Sequence, residues 1–557
     1  MAQNDIGVGR VVAQSDIWGG HRFDPGNLGC ARRERPLRVG HRAEPSAKES
    51  LSLEAAEDVR TVARGGAVQI IGQVSQRGLS FLFSAVATRV LGPAGFGLYS
   101  QIARVLAIGG QLGLAGFNYA SMRFIARARA NNDHGGVRGA ARIGLWGTTV
   151  ASALVLMALV ALAGPIAAAF SRGDEASQAD EFATLIRIGA LYVPAFAYMQ
   201  VLRYCTQAYK TMVPSVISGN IVQPAARFVL GVALLLAGIE VAGAVVTLSA
   251  SMVVGAMSAL WYWRRMPSAE ERQASPRASA RAMVRFALPQ GGSSLLGIQS
   301  LGLGIIILGI VSDNRDVGLF AVALALQGPG GVFLSGLINI WAPVVSDLYE
   351  KGEIARLDSL YKTITRWVVT FSFPVYGALI VEPDLFVTIY GGPEVLEAAP
   401  LVAILALGNL FYSGTGPTGY VLSMTGRPGV NFTNSVVAVV LYALGGALFV
   451  PEYGLTAMAV VDACVTALIN SARVIEAKLL VGVQPFGRST LKPVGAALAG
   501  VGVLLLWKLV PVEGMGAQLT GVVLAGLVYV LVLWALGLDA EERFVWERIK
   551  SRAFRRR

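Results

Sequence analysis

Residues 519–538 read LTGVVLAGLVYVLVLWALGL, a run of twenty residues that contains no charged side chain. A helix of this length, at about 1.5 Å per residue, is as long as the hydrocarbon core of a bilayer is thick. A helix that is merely buried inside a soluble domain would be shorter. The region around residues 436–450 is a second block of the same kind. The fold is therefore predicted to be built from transmembrane helices.

The composition of the whole chain supports the same class. Of the 557 residues, 54% are hydrophobic and 15% are charged, whereas soluble proteins carry roughly 25% charged residues. The net charge of +12 would suggest nucleic acid for a soluble protein, but in a membrane protein Lys and Arg accumulate in cytoplasmic loops. Nucleic acid is therefore not an expected partner. The cysteines are isolated and the histidines lie in polar stretches, so no disulfide framework, metal site or cofactor is predicted.

Apolar blocks along the chain predict about fourteen transmembrane spans. The predicted spans are 67–90, 98–121, 143–170, 183–204, 212–237, 241–263, 286–311, 317–343, 364–390, 398–424, 430–450, 454–480, 493–510 and 517–537. One set of alternate loops is rich in arginine, as in 264–285, and the other is mostly acidic, as in 174–181. By the positive-inside rule, this alternation predicts an even span count and a multi-pass protein of the cytoplasmic membrane with both termini cytoplasmic.

The fold class predicted from these spans is an all-α polytopic membrane protein with two six-helix lobes and two C-terminal helices. Its predicted segments are a disordered cytoplasmic tail (1–60), an N-lobe with spans one to six (61–263), a cytoplasmic inter-lobe linker (264–285), a C-lobe with spans seven to twelve (286–482), two additional transmembrane helices (483–538) and a basic cytoplasmic tail (539–557).

The two lobes repeat a short pattern. The sequence Gly97-Leu98-Tyr99 is followed twelve residues later by Gly109-Gly110, and Gly318-Leu319-Phe320 is followed at the same distance by Gly330-Gly331. Because each lobe has an even number of spans, both insert in the same orientation. A pseudo-twofold axis along the membrane normal is therefore expected.

Several arginines lie inside predicted spans, where an arginine costs roughly 2.5–3.5 kcal/mol at a helix centre. The candidates are Arg77, Arg104, Arg187 and Arg227, all in the N-lobe. Arg203 is close enough to the inner end of span four to snorkel to the membrane surface. An excess of buried cations is expected where the ligand is an anion, and a guanidinium group binds phosphate in bidentate geometry. The four arginines are therefore predicted to bind phosphate in a cavity.

Polar side chains recur at helical spacing beside these arginines. A polar stripe cannot face lipid, so it faces either protein or a water-filled cavity. For a single Gln or Asn, a contact between helices that contributes about 0.6 kcal/mol is the simpler explanation. The alternative is that these residues line the cavity, and the candidates are Gln73, Gln111, Asn118, Gln223, Gln327, Asn339 and Asn409.

Asp462 in span twelve is the one deep acidic residue that the sequence predicts for the C-lobe. Glu382 and Asp384 fall near the outer end of span nine, where they are expected to reach water. An acidic residue inside a span is either paired or functional. Asp462 is therefore a candidate either for ion coupling or for a buried pair with an arginine.

Two stretches resemble a known family. Residues 89–100, RVLGPAGFGLYS, are similar to the LGPxxFGLY segment of prokaryotic oligosaccharide flippases of the polysaccharide transport family, and residues 422–430, LSMTGRPGV, resemble that family's GRP turn. The family belongs to the superfamily of multidrug and toxin extruders and lipid II flippases. The resemblance covers residues 64–538 in span order. It implies two lobes that form a V around a cationic cavity, with alternating access.

The resemblance also implies a function: a flippase, not an enzyme, that moves a polyprenyl-(pyro)phosphate-linked oligosaccharide to the outer leaflet for surface polysaccharide biosynthesis. The expected partners are that lipid-linked oligosaccharide, membrane lipids and other polysaccharide-assembly proteins, with H⁺ or Na⁺ as candidate coupling ions. A multidrug or cation extruder is one alternative, which would favour acidic residues in the cavity. A membrane enzyme of polysaccharide assembly is another, but it would need clustered acids or histidines that the predicted outer loops lack.

Overall fold

The computed structural model describes residues 47–170, 176–295, 302–511 and 514–537, with the backbone alone described for residues 47–67, 176–178, 293–295, 339–340 and 342–343. The first half contains α1 (Ala47–Leu114), α2 (Phe117–Ala130), α3 (His134–Ala161), α4 (Ala163–Phe170), α5 (Ala176–Gly189), α6 (Tyr192–Gln207), α7 (Val213–Val216), α8 (Gln223–Leu236), α9 (Glu240–Arg265), α10 (Ala269–Gln273) and α11 (Ala280–Leu295). The second half contains α12 (Leu303–Val311), α13 (Asn314–Leu326), α14 (Val332–Glu350), α15 (Ile354–Val381), α16 (Pro383–Gly391), α17 (Ala399–Thr415), α18 (Thr418–Met424), α19 (Pro428–Leu480), α20 (Leu491–Trp507) and α21 (Met515–Ala535).

The described residues contain no β-strand, and eleven helical stretches among them are long and apolar enough to cross a membrane. Two of these stretches contain a kink at a glycine with positive φ, Gly92 (φ 67°) and Gly454 (φ 63°), a backbone region that favours glycine. The all-α, multi-pass membrane fold is thus confirmed. The count of fourteen spans stays a prediction.

The chain divides into two compact units, Met1–Asp58 and Val59–Arg557. Residues 1–46 of the predicted disordered tail lie outside the described residues, and residues 47–60 belong to α1, so this part of the predicted tail is helical. The predicted basic tail, 539–557, also lies outside the described residues.

Within the second unit, the helices pack as two bundles. In the first bundle, α2, α3, α6, α8 and α9 pack against one another, and α4 and α5 join them. In the second bundle, α13, α14, α15, α17, α18 and α19 pack together, and α12 packs against α19. The pair α20 and α21 covers α15. The predicted N-lobe and C-lobe correspond broadly to these bundles, although their boundaries stay a prediction.

Predicted span seven, 286–311, does not stay within one bundle. Its first part, α11, packs against α2 and α3 of the first bundle, whereas its second part, α12, packs against α19 of the second. The backbones of α11 and the first bundle nearly touch, because a Cβ on Gly291 would lie 2.9 Å from the amide nitrogen of Gly116. Close backbone packing thus attaches α11 to the first bundle, whereas the predicted C-lobe, 286–482, includes it; that boundary stays a prediction.

The bundles also meet where the sequence repeat places its matching glycines. A Cβ on Gly97 would overlap the carbonyl oxygen of Asn314, and a Cβ on Gly318 would overlap that of Pro93. Only a residue without a side chain permits this approach of the two backbones. In addition, Gln101 donates from Nε2 to Asn314 Oδ1 at 2.8 Å. Contact between repeat-equivalent segments is the arrangement expected around a pseudo-twofold axis.

The predicted inter-lobe linker, 264–285, is bound to the first bundle. Helix α10 begins with a capping box in which Glu271 accepts from the backbone N–H of Ser268 at 2.8 Å. The buried Glu271 also accepts from the Tyr209 hydroxyl at 2.9 Å and lies 3.4 Å from Arg129 Nε. Burial and the neighbouring carboxylate raise the pKa of Tyr209, which therefore stays protonated as the donor. These contacts hold the linker against the loops of the first bundle.

Candidate functional site

Helix α1 packs on the first bundle, where its Phe83 meets Gly231 of α8, and Arg77 reaches from α1 to the second bundle. Its Nη2 donates to Ser335 Oγ at 2.6 Å, and its Nη1 donates to the carbonyl oxygen of Gly328 at 3.5 Å. The carbonyl oxygen of Gly328 is available as an acceptor because α13 ends before Gly328 and α14 begins after it, which leaves a break in the helix. Tyr376 and Tyr412 lie close enough to interact electrostatically with the guanidinium group. Arg77 thus holds a position between the bundles with neutral acceptors only.

Arg227 lies inside the first bundle among aromatic rings. It donates to the hydroxyl of Tyr99, and its guanidinium carbon lies 4.8 Å from the centre of the Phe83 ring. Its Nε has no hydrogen-bond partner among the described residues. Arg104 is close enough to Arg227 for the two positive charges to repel each other. None of the ion pairs among the described residues includes either arginine.

Arg104 also lines a cavity of about 180 Å³ between the bundles, together with Asp462 of α19. The Tyr442 hydroxyl donates to Asp462 Oδ1 at 2.7 Å. The N-terminus of α12 borders the same cavity at Gly302, whose φ is 79° and whose Cβ, if it had one, would lie 3.1 Å from Arg104 Nε. The structure therefore identifies Arg104 as the arginine that shares a site with Asp462. No ion pair within 4.0 Å joins these two described residues.

Two of the predicted cavity-lining residues are buried in contacts between helices. Gln223 donates from Nε2 to Ser251 Oγ at 3.1 Å, which joins α8 to α9. Gln327 donates from Nε2 to the carbonyl oxygens of Ala323 and Val402, each at 3.1 Å, which joins the end of α13 to α17. Both side chains hold helices together, which is the simpler of the two explanations that the sequence offered.

The other predicted lining residues differ in their surroundings. Asn409 donates to the carbonyl oxygen of Leu405 in its own helix at 2.9 Å. Asn118 is buried and its Oδ1 has no partner among the described residues. Gln73 and Gln111 are half-buried on α1. The side chain of Asn339 lies outside the described residues.

Arg187 is not brought together with the other three candidate arginines. Its side chain is exposed on α5, a helix that packs against α4 and α9. The cation cluster that the structure assembles consists of Arg104 and Arg227, and Arg77 lies at the seam between the bundles.

Arg203, which was expected to snorkel, instead lies in a complete hydrogen-bond network. It donates from Nε to the Ser215 carbonyl oxygen at 2.9 Å, from Nη1 to Gln200 Oε1 at 2.8 Å and from Nη2 to Asn220 Oδ1 at 2.8 Å. Asn220 in turn donates to Gln76 Oε1 at 2.7 Å. A π-helical segment, Ile217–Val222, carries Asn220 in the middle of this span. Acceptors on its own helix (Gln200), on α7 (Ser215) and on the π-helical segment (Asn220), rather than the membrane surface, bind this arginine.

Three charged side chains of the second half are buried or half-buried in ways that the sequence pattern did not predict. Glu382 is 2% exposed and lies 3.6 Å from Lys508 Nζ of α20, so the prediction that it reaches water was wrong. Arg366 is 3% exposed in α15. Arg473 is half-buried in α19. The sequence signal for Arg473 is that it lies inside the predicted span 454–480, as Asp462 does.

Two curated relatives are similar to parts of the chain. The capsular polysaccharide biosynthesis protein CapF of Staphylococcus aureus is 22% identical over 200 residues, which are 35% of this chain and 49% of that protein. The probable low-salt glycan biosynthesis flippase Agl15 of Haloferax volcanii is 22% identical over 185 residues, which are 33% of this chain and 39% of that protein. The chain thus matches less than half the length of either relative.

Solved structures share the fold over most of the chain. The lipid II flippase MurJ in an inward closed conformation has a TM-score of 0.66 at 11% identity, covering 83% of this chain and 97% of that one. An inward-facing MATE family multidrug resistance transporter of the MOP superfamily has a TM-score of 0.62 at 14% identity, covering 74% of this chain and 98% of that one. At these identities the likeness shows a shared fold.

A family model also matches the sequence directly. It is described as polysaccharide biosynthesis protein and matches residues 62–348, which include α2 to α13 and most of α1 and α14. The match covers more than half of the chain. The chain belongs to the polysaccharide biosynthesis protein family.

Proposed function

We propose that the protein is a flippase that moves a polyprenyl-(pyro)phosphate-linked oligosaccharide across the cytoplasmic membrane by alternating access, for surface polysaccharide biosynthesis. The observation that carries this proposal is the set of arginines Arg77, Arg104 and Arg227, which lie between apolar helices without a described acidic partner in ion-pair distance. The family membership and the transporter fold support it.

Arg77 supplies the first phosphate contact. Its present acceptors are a hydroxyl and a backbone carbonyl, both neutral. Hydrogen bonds between two ionised groups are about twice as strong as neutral ones, and the guanidinium fork fits a phosphate oxygen pair. A phosphate that enters the seam therefore displaces Ser335 and Gly328 from Arg77. This exchange would also loosen the contact between the two bundles at this point.

Arg104 and Arg227 supply the second phosphate contact. Two cations at short range in a medium of low dielectric repel each other. A pyrophosphate placed between them turns that repulsion into attraction, and the Arg227 Nε, which lacks a partner, gains one. Both groups of arginines would thus be stabilised by the anion that the family's cargo is expected to carry.

Asp462 gives a route by which an ion could drive the cycle. It shares a cavity with Arg104, so the charge of Asp462 affects the charge available to the phosphate. Binding of H⁺ or Na⁺ at Asp462 would neutralise a negative charge that repels a phosphate bound at Arg104. We propose this coupling role for Asp462, with Tyr442 as the residue that positions its carboxylate.

Alternating access requires the bundles to separate at one end while they close at the other. The contact between the Gly97 and Gly318 segments closes the ends that we propose to be extracellular. The cytoplasmic termini and the cytoplasmic membrane follow from the charge of the loops and are part of the proposal.

The proposal is tested with the full-length protein in liposomes that contain a fluorescent polyprenyl-pyrophosphate-linked disaccharide. The wild type should move the label between leaflets, measured by access of a membrane-impermeant quencher. Each lost charge-assisted hydrogen bond contributes about 1.5–3 kcal/mol, so Arg77→Gln should slow transport roughly 10- to 100-fold. Arg77→Lys should recover part of the rate because it keeps the charge but loses the planar fork.

The matched control for Arg77 is Arg356→Gln, which removes one positive charge from an exposed ion pair with Glu353. It should transport like the wild type. Full transport by both Arg77→Gln and Arg227→Met would contradict the phosphate mechanism. Transport of a lipophilic cation, with no movement of the lipid-linked sugar, would favour the multidrug extruder instead.

A further inference from the structure

A fourth cation lies in the second bundle, apart from the arginines assigned to phosphate. Arg473 donates from Nη1 to Asn470 Oδ1 at 3.5 Å, and its Nε has no hydrogen-bond partner among the described residues. Glu476 is the nearby acid, but its carboxylate accepts a 2.5 Å hydrogen bond from Asn434 and forms no ion pair with Arg473. The charge of Arg473 is therefore not neutralised by the part of the protein that the structure describes.

Arg473 converges with an amide acceptor beside Gly419. A Cβ on Gly419 would lie 3.3 Å from Asn431 Oδ1 and 3.8 Å from Arg473 Cζ. Asn431 donates to Ser423 Oγ at 3.2 Å, but its Oδ1 has no partner among the described residues. A cationic donor and an acceptor with unused hydrogen-bonding capacity thus border the same small space. Buried polar groups of this kind are normally satisfied, so an additional partner is expected.

Tyrosines connect this place to both bundles. Tyr412 is close enough to both Arg77 and Arg473 to interact with the charge of each. Tyr420 is 40% exposed and is close enough to Tyr119 of the first bundle to interact with it electrostatically. The Tyr119 ring packs edge-to-face on Tyr204 at 5.0 Å. A tyrosine offers an apolar ring face and a hydroxyl, which match the C–H face and the hydroxyls of a pyranose.

We propose that Arg473, Asn431 and the tyrosines Tyr119, Tyr204 and Tyr420 form a sugar site that selects an acidic sugar. This inference rests on the proposed function. Tyr412 interacts with Arg77 at the proposed phosphate contact and also with Arg473, as expected if the pyrophosphate and the sugar of one lipid-linked glycan bind at neighbouring positions. A neutral sugar would displace water from Arg473 without supplying a counter-charge, so the cost of removing the charge from water would not be offset. A sugar carboxylate pairs with the guanidinium group in bidentate geometry.

The test measures binding to the full-length protein in nanodiscs with three probes. These are undecaprenyl pyrophosphate, undecaprenyl-pyrophosphate-linked glucose and the corresponding glucuronic acid conjugate, which differs from the glucose probe only at carbon six. The wild type should bind the glucuronic acid probe about tenfold more tightly than the glucose probe, as expected for one charge-assisted contact. Arg473→Gln should remove this preference and leave the affinity for undecaprenyl pyrophosphate unchanged, which also shows that the variant is folded.

Two further variants complete the design. Arg473→Lys should keep part of the preference for the glucuronic acid probe, because it keeps the charge. It replaces Arg473→Gln as the test variant if the glutamine variant does not fold. Lys478→Gln removes a charge from an exposed position of the same helix and should leave all three affinities unchanged.

The inference is overturned if the wild type binds the two sugar probes equally, or if Arg473→Gln weakens all three probes alike. Neither result contradicts the proposed phosphate contact at Arg77, which a separate variant tests. Arg77→Gln should weaken all three probes by the same factor. If it does not weaken undecaprenyl pyrophosphate, the proposed phosphate mechanism fails, whatever the result at Arg473.

Discussion

Arg203 and Arg227 lie in the same bundle, but the groups that contact their guanidinium groups differ. All three nitrogens of the Arg203 guanidinium donate to oxygen acceptors at 2.8–2.9 Å. Arg227 has one neutral acceptor, the Tyr99 hydroxyl, and otherwise faces the Phe83 ring. The comparison separates two uses of a cation inside a membrane protein. A guanidinium with a complete set of acceptors holds helices together, and one with an incomplete set can bind a ligand.

The same criterion orders the other arginines. Arg77 has two acceptors, but both lie across the seam between the bundles, which separate in the proposed transport cycle. Arg473 has one long hydrogen bond and no ion pair among the described residues. By this measure Arg203 is structural, and Arg77, Arg227 and Arg473 are available to an anion.

The largest effect is expected from replacing the two compared arginines by methionine, which keeps the aliphatic bulk. Arg203→Met leaves Gln200, Asn220 and the Ser215 carbonyl without this donor, and each buried acceptor left unsatisfied costs roughly 1–3 kcal/mol. Thermal unfolding of the purified protein in detergent should show a large fall in Tm. Arg227→Met removes a poorly solvated charge and should leave the Tm unchanged or higher, while transport falls sharply.

An equal fall in Tm for both methionine variants would contradict the distinction between a structural Arg203 and a ligand-binding Arg227. Equal transport by the two variants, after correction for the amount of folded protein, would also break it. The first result would make Arg227 structural, and the second would remove phosphate binding from its role.

A smaller effect is expected from Asn220→Ala. This change removes an acceptor from Arg203 and a donor from Gln76, and should lower stability by about 1–3 kcal/mol, the cost of leaving a buried partner unsatisfied. Asn431→Ala is the matched control for stability, because it breaks a single 3.2 Å hydrogen bond to Ser423. The Tm of Asn220→Ala should fall clearly below that of Asn431→Ala, and the reverse order would contradict the network.

The smallest effect is expected from Arg187→Gln. The side chain is exposed on α5, so its replacement should change stability by less than about 0.5 kcal/mol. Transport in the liposome assay should match the wild type. A transport defect as large as that of Arg227→Met would return Arg187 to the phosphate contacts that the sequence predicted for it.

Much of the fold could be predicted from the sequence because the membrane imposes it. Twenty apolar residues in a row form a span in almost any context, and the charge of the loops is local to them. The repeat around Gly97 and Gly318 was also visible, since it depends on residue identity alone. The packing of α11 on the first bundle could not be seen, because it depends on backbone contacts with a helix more than a hundred residues away.

The site was predictable only in part. Hydrophobic patterning identifies which residues are both polar and buried, so Arg77, Arg104, Arg227 and Asp462 stood out. It does not reveal which acceptors another helix supplies, and for this reason Arg203 was misjudged. Glu382 was misjudged for the same reason, since the lysine beside it, Lys508, belongs to a helix that follows the second bundle. The distinction between structural and ligand-binding arginines is a property of tertiary contacts.

The close approach of Gly97 and Gly318 leaves the two halves free to differ beside it. A Cβ on either glycine would overlap a backbone carbonyl oxygen of the other half, so both positions require glycine. The residues two positions further on are not restricted in this way: the Tyr99 hydroxyl accepts from Arg227, while Phe320 packs against Gly304. The same backbone contact on both sides is thus compatible with a buried cation on one side and an apolar contact on the other.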